Sequence, residues 1–315
     1  MKKRFKIVFM GTPDFAVPSL KAVCQSCHDL MLVVTQPDRP KGRGRKLSQA
    51  PVKKVAIQLG CDIIQPESIR TKKFVDKIKN LEPDFFVVIA FGHIISKELL
   101  SIPKIGSINL HASLLPKYRG AAPIQWALIK GEQETGVTTI FMDKGIDTGD
   151  ILLSSKIKIS SDETSATLHE RLAILGSSLL LSTIKKLADN DITPIRQDHA
   201  HSTYAPILKK RNGQINWDSP AKNLEAFVRG MSPWPGAFTF HGEKRLKIFN
   251  VKALAINVDE MPGTVLKSFP DELCVATGKG AVSIFEIQGA SGKRLLIKDF
   301  MKGNKIEPGT FFSNP

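Results

Sequence analysis

An asparagine and a histidine two residues apart, Asn109 and His111, close an apolar run that begins at Ser107. In an extended segment residues two apart project from the same face, so the amide and the imidazole point together. An amide N–H can stabilise a developing oxyanion, and an imidazole can move a proton near neutral pH, a pairing suited to acyl transfer. Taken alone, Asn-x-His is equally well two polar residues at a strand end. The residues that follow narrow the reading. Ser113-Leu114-Leu115-Pro116 comes next, then Lys117-Tyr118-Arg119-Gly120-Ala121-Ala122-Pro123. A turn with two leucines expected to be exposed calls for something apolar to dock on it. Further on, Asp143-Lys144-Gly145-Ile146-Asp147-Thr148-Gly149-Asp150 forms a loop with three aspartates and two glycines. Glycine permits the tight backbone that lets Asp147 reach toward the histidine. A carboxylate there would favour the protonated imidazole and fix its tautomer.

These residues need a scaffold, and the chain supplies one in its periodicity. Strand-like runs at 6–10, 30–34, 85–90, 107–111 and 138–142 alternate with helical patterns at 15–23, 51–59 and 72–81. The last carries Phe74, Val75, Ile78 and Leu81 at helical spacing. Such alternation, with near-continuous apolar strands, predicts an α/β fold with a doubly wound, mostly parallel, Rossmann-like sheet. Open sheets of this kind place their sites at the carboxyl ends of the strands, where Asn109 and His111 fall. Residues 164–188 give a long amphipathic helix. The character then changes: 191–212 is polar and includes Pro194 and Pro206, so a linker is expected between a catalytic domain at 1–190 and a second domain at 213–315. A helical pattern at 223–230 is followed by short strands near 237–240, 246–253, 263–268, 273–277, 282–287 and 294–297. Short strands at this density predict a small C-terminal β-barrel, compatible with an OB-like nucleic-acid module.

Composition bounds the rest. At 315 residues, 42% hydrophobic and 24% charged, the chain has the make-up of a globular protein with two domains. No run of about 18 apolar residues suggests a spanning helix. The apolar stretch at 7–10 stops at Gly11-Thr12-Pro13-Asp14, too short for a signal core, so a cytoplasmic protein without a membrane partner is expected. Cys24 and Cys27 have C-x-x-C spacing but no second pair completes a zinc site, and they read as helix-packing residues. Net charge is +15. Residues 38–54 hold seven basic groups against the single acid Asp38, and residues 207–315 hold sixteen basic against ten acidic. Two separate basic surfaces point to a polyanion, with nucleic acid the leading candidate over a merely solvated surface. Gly11-Thr12-Pro13-Asp14 lacks two glycines of a dinucleotide fingerprint. Without a phosphate-loop sequence or an H-E-x-x-H helix, neither nucleotide hydrolysis nor a catalytic metal is expected.

The strings at 108–122 and 145–151, taken together, resemble the folate-dependent formyltransferases. The resemblance implies Asn109 as oxyanion donor, His111 as general acid/base and Asp147 as its partner. It also implies that Ser113, Leu114, Leu115 and Pro116 contact the reduced folate. The segment 88–95, with Ala90, Phe91 and Gly92, resembles that family's wall for the pterin ring. His93 stands where a neutral or apolar side chain is expected and receives no catalytic role. Two further strings, Phe9-Met10-Gly11-Thr12-Pro13-Asp14-Phe15-Ala16 and Gln36-Pro37-Asp38-Arg39-Pro40-Lys41-Gly42-Arg43-Gly44-Arg45-Lys46-Leu47, resemble the branch that acts on methionyl-tRNA, and the likeness then spans nearly the whole chain. It implies transfer of the formyl group of 10-formyltetrahydrofolate to the amino group of initiator methionyl-tRNA, for initiation of protein synthesis. The physics of the second string agrees: alternating glycines and cations make a flexible loop that can follow a phosphate backbone. Arg39, Lys41, Arg43, Arg45 and Lys46 are therefore expected to contact tRNA, together with the barrel, and the protein is expected to be a monomer. The rival readings are a formyltransferase for a small amine, which needs neither basic surface, a folate-dependent hydrolase, and a non-catalytic RNA-binding protein, in which Asn109, His111 or Asp147 should be missing.

Overall fold

A computed structural model describes residues 3–41, 46–269, 271–290 and 292–313. The chain divides into two compact units that do not follow its order: Met1–Gly120, Glu134–Ile157 and His169–Tyr204 make the first, and Ala121–Gln133, Lys158–Leu168 and Ala205–Pro315 the second. The division expected at 190 and 212 runs along the chain. The compact units cross it twice.

The first unit is built on a seven-stranded sheet. Its strands are β1 (Lys6–Gly11), β2 (Asp29–Val34), β5 (Ile63–Ile64), β6 (Phe85–Ile89), β7 (Gly106–His111), β8 (Glu134–Phe141) and β9 (Ile151–Lys158), in the order β5-β2-β1-β6-β7-β8-β9. β3 (Arg39–Lys41) and β4 (Lys46–Ser48) form a separate hairpin. Pairs from β5 to β7 are parallel, and β7 meets β8 antiparallel. β6 is buried at all its positions, as a central strand covered on both faces must be. On one face Val8, Met10, Phe86 and Val88 pack against Phe74, Val75 and Ile78 of α3 (Lys72–Asn80), whose start is capped by the Thr71 hydroxyl. On the other, Leu110 lies against Gly176 of α6 (Ser165–Ala188), where an added Cβ would come within 2.6 Å of the Leu110 side chain. α1 (Val17–Cys24), α2 (Pro51–Gln58) and the short α4 (Lys97–Leu100) complete the connections. The sequence runs outward from β1 to β2 and β5, then returns to β6 on the opposite side of β1. The reversal creates a crevice between the carboxyl ends of β1 and β6.

The second unit carries α5 (Pro123–Ile129), α7 (Ala221–Met231), α8 (Ile297–Phe300) and strands β10 (Ala237–His241), β11 (Lys244–Leu254), β12 (Val265–Phe269), β13 (Glu272–Ala276), β14 (Ala281–Gln288) and β15 (Leu295–Leu296). The antiparallel path is β10-β11-β14-β13-β12, with β15 on β14. Residues 309–313, which carry no strand periodicity, close this path into a barrel. Phe311 bridges Thr264 beside β12, and Ser313 bridges Phe240 of β10. Phe312 is fully buried next to Trp217, whose indole N–H donates to Thr239. α5 packs on α7 at Gly230, where a Cβ would lie 2.7 Å from Ile129.

Candidate active site

Asn109 and His111 lie at the carboxyl end of β7, beside the end of β6, since Val88 pairs with Asn109. Asp147 reaches both. Asn109 Nδ2 donates to Asp147 Oδ1 at 3.1 Å, and Asp147 Oδ2 stands 3.5 Å from His111 Nδ1. The Gly120 backbone N–H donates to the same Oδ2 at 2.8 Å. Asp147 achieves this reach in a left-handed conformation, φ 54°, uncommon for a non-glycine residue but one that aspartate tolerates better than most. At the nearby Gly149 an added Cβ would sit 1.7 Å from the Phe141 carbonyl oxygen, so glycine is needed there for close approach to β8 rather than for the left-handed turn, which Asp147 itself makes.

The partners of His111 fix its tautomer. The imidazole is buried, and its Nε2 lies 2.9 Å from the Tyr118 carbonyl oxygen, which can only accept, so Nε2 carries the hydrogen. Nδ1 is then the position that gains or loses a proton, and it faces the Asp147 carboxylate. Asn109 is half-buried and carries two amide hydrogens, of which Asp147 engages one. The arrangement can donate a hydrogen bond to a nascent oxyanion and take up one proton beside it.

The Ser113–Pro116 turn departs from expectation. Ser113 is fully buried, and its hydroxyl donates to the Lys117 carbonyl at 2.6 Å. Leu115 is buried and Leu114 half-buried, so the leucines pack inward over Gly136 and the Thr138 hydroxyl. Only Leu114 and Pro116 retain partial exposure. At the end of β6, Ala90 (φ 45°) is exposed and Gly92 (φ 81°) turns the chain, while the Phe91 ring joins the core under β6. The Phe91 carbonyl accepts from Thr12 Oγ1 at 3.1 Å and Gln36 Nε2 at 3.0 Å, so the crevice wall is tied to β1 and β2 through its backbone. The His93 ring lies tilted against Phe91, and its buried Nε2 has no hydrogen-bond partner among the described residues.

The basic string expected as a flexible loop is a hairpin at its base. Arg39 pairs with Ser48, Pro40 with Leu47 and Lys41 with Lys46, and Arg39 and Leu47 are exposed. Arg43 and Arg45 lie outside the described residues. Asp38 anchors the hairpin: the Lys53 ammonium at 2.6 Å and the Gln65 amide hold its carboxyl below the ordinary value.

Sequence reasoning missed Gln197 and the inward role of Arg119. Gln197 lies in the segment expected as a linker, yet it is buried and bonds to both the Asp147 loop and Arg119. Its one signal was a buriable amide inside an otherwise polar stretch without periodicity.

Comparison with known proteins places the chain. A family model described as formyl transferase matches residues 4–184, and one described as formyl transferase, C-terminal domain, matches residues 207–305. The methionyl-tRNA formyltransferase of Caldanaerobacter subterraneus subsp. tengcongensis is 48% identical over 306 residues, covering 97% of this chain and 99% of that protein. That of Alkaliphilus oremlandii is 45% identical over 304 residues, 96% of this chain and 98% of that one. Among solved structures, a sugar 3N-formyl transferase, WlaRD, determined in the presence of dTDP and 5-N-formyl-THF, superposes with a TM-score of 0.67 at 22% identity, covering 92% of this chain and all of that one.

Proposed function

Because the chain belongs to the formyl transferase family, and within it to the methionyl-tRNA formyltransferases, we propose that it formylates the amino group of initiator methionyl-tRNA with 10-formyltetrahydrofolate as donor. The observation that carries the chemistry is the convergence of Asn109, His111 and Asp147 at the carboxyl end of β7. In the reaction a C–N bond forms between the methionine nitrogen and the formyl carbon, and the bond from that carbon to the folate nitrogen breaks. The free N–H of Asn109 donates to the carbonyl oxygen as it gains charge. The proton leaving the amine goes to His111 Nδ1, where the Asp147 carboxylate stabilises the resulting cation, and it is returned to the departing folate nitrogen. No covalent acyl-enzyme is required, because a neutral amine is already a competent nucleophile.

The crevice beside β6 suits a flat heterocycle: Ala90 is small and exposed at its wall, and Leu114 and Pro116 retain apolar surface. The Ser113 hydroxyl and the Leu115 side chain shape this turn from within. On the tRNA side, the string that begins at Arg39 supplies Lys41, Arg43, Arg45 and Lys46 as further cations, a composition suited to a phosphate backbone. Arg43→Ala is expected to raise the apparent KM for tRNA and leave that for folate unchanged. The reverse pattern would reassign the basic string. The assay for the whole reading is formyl transfer to methionine-charged initiator tRNA, with elongator tRNA and a small amine in parallel. Product on initiator tRNA alone supports it, and transfer to the small amine alone removes the tRNA substrate.

A further inference from the structure

Asp147 holds its reach in a left-handed backbone conformation, and one buried amide spans the loop that contains it. Gln197 Nε2 donates to the Asp147 carbonyl at 2.9 Å and to the Gly149 carbonyl at 2.7 Å. Its Oε1 accepts from Arg119 Nε at 3.1 Å and Nη2 at 2.7 Å. Both side chains are almost wholly buried. The circuit closes on itself, because Gly120, next to Arg119, donates its backbone N–H to the Asp147 carboxylate. The backbone of Asp147 and its carboxylate are thus tied to adjacent residues, the backbone through Gln197 to Arg119 and the carboxylate directly to Gly120. A few residues on, Thr203 binds the segment that carries Arg119: its hydroxyl accepts from the Tyr118 N–H at 2.8 Å, and its carbonyl accepts from the Arg119 N–H at 2.8 Å. Tyr118 in turn supplies the carbonyl that fixes His111.

We propose that Gln197 is a positioning residue for formyl transfer: it fixes the Asp147 loop so that the carboxylate faces His111 and Asn109. The inference rests on the role given to Asp147 above. The position demands an amide, since two donors must meet two carbonyls while an oxygen receives a guanidinium. Glutamate has the right length and keeps an acceptor for Arg119, but turns lone pairs toward the Asp147 and Gly149 carbonyls.

The test is a double-mutant cycle on kcat and KM with Gln197→Glu, Asp147→Asn and the pair. Gln197→Glu is expected to lower kcat by roughly ten- to a hundredfold, with both KM values changed by less than about threefold. The doubly substituted protein is expected to be no more than about threefold slower than Asp147→Asn alone, because a residue acting through Asp147 has nothing left to position. A merely structural role predicts multiplied losses instead, and that result overturns the proposal, as does a Gln197→Glu kcat within about twofold of the parent. Should Gln197→Glu fail to fold, Arg119→Lys, which weakens the hold on Oε1 without touching Asp147, enters the same cycle with the same criteria. If Asp147→Asn itself keeps parental kcat, the reading of Asp147 falls and this inference with it. If Asp147→Asn is slow and Gln197→Glu is not, only the inference falls.

Discussion

Replacing Asn109 by alanine should separate its two duties. Its Nδ2 gives one hydrogen to Asp147 at 3.1 Å and keeps a second for the substrate oxygen. Loss of an oxyanion donor typically raises the barrier by about 2.7–4 kcal/mol, or roughly a hundred- to a thousandfold in rate. The structural cost is small by comparison. Asp147 keeps the Gly120 N–H at 2.8 Å and its place beside His111, so stability should fall by about 1 kcal/mol. Asn109→Asp sharpens the test. It preserves shape but sets a carboxylate oxygen 3.1 Å from Asp147 Oδ1. Two full charges at that distance repel by about 5 kcal/mol at an effective dielectric constant of about 20, so one of them must hold a proton. The aspartate variant should therefore be slower than the alanine variant, and most so at high pH. The assay is single-turnover transfer of labelled formyl to methionine-charged initiator tRNA, with thermal melting as the check on folding. A folded Asn109→Ala protein within about threefold of the parental rate would refute the oxyanion role. An aspartate variant faster than the alanine one would refute the charge geometry.

Other consequences can be checked by stability alone. Gly149→Ala drives a Cβ into the Phe141 carbonyl, 1.7 Å away, and should destabilise the first unit by about 3 kcal/mol in denaturant titration. His169 is held below its ordinary value of 6.5 by burial, next to the Phe15 ring. The unfolded chain takes up that proton more readily than the folded one, so its contribution is complete above pH 6.5 and is lost as pH falls through the lower folded-state value. His169→Gln should flatten this loss, seen as a smaller difference in melting temperature between about pH 7.5 and 5.5. Phe312→Ala removes a fully buried ring from the barrel closure and should cost about 3–5 kcal/mol, followed by urea unfolding.

Much of the first unit was legible because buried parallel strands announce themselves as unbroken apolar runs: 85–90 against β6 and 107–111 against β7 differ by a residue at an end. β9 was not read, since its exposed and buried positions alternate among serines and lysines. Asn109, His111 and Asp147 were legible as a set because strand parity aligned the first two and glycines flanked the third. Gln197 was not, because what defines it is three partners distant in sequence. The Ser113–Pro116 turn illustrates the opposite hazard. Its leucines looked exposed in sequence, yet Gly136 on β8 makes room for Leu114 and the Thr138 hydroxyl receives the Leu115 N–H. Residues 309–313 have no periodicity to read, since a closing segment is specified by the two edges it meets.

That closing segment bears on how the protein is made. Synthesis delivers β10 and β12 well before residues 309–313, and until those arrive both strands present unpaired N–H and C=O groups, the kind of edge that templates pairing with another chain. α5 is made earlier still, among the strands of the first sheet, and has no α7 to lie on until about residue 231 has been added. The second unit is therefore assembled from pieces that emerge far apart in time, and it can complete itself only once residues 309–313 have been made. A nascent chain stalled between β12 and residue 309 would carry open edges with no means of sealing them, which makes that interval of synthesis the period of greatest exposure to aggregation and of greatest need for a chaperone.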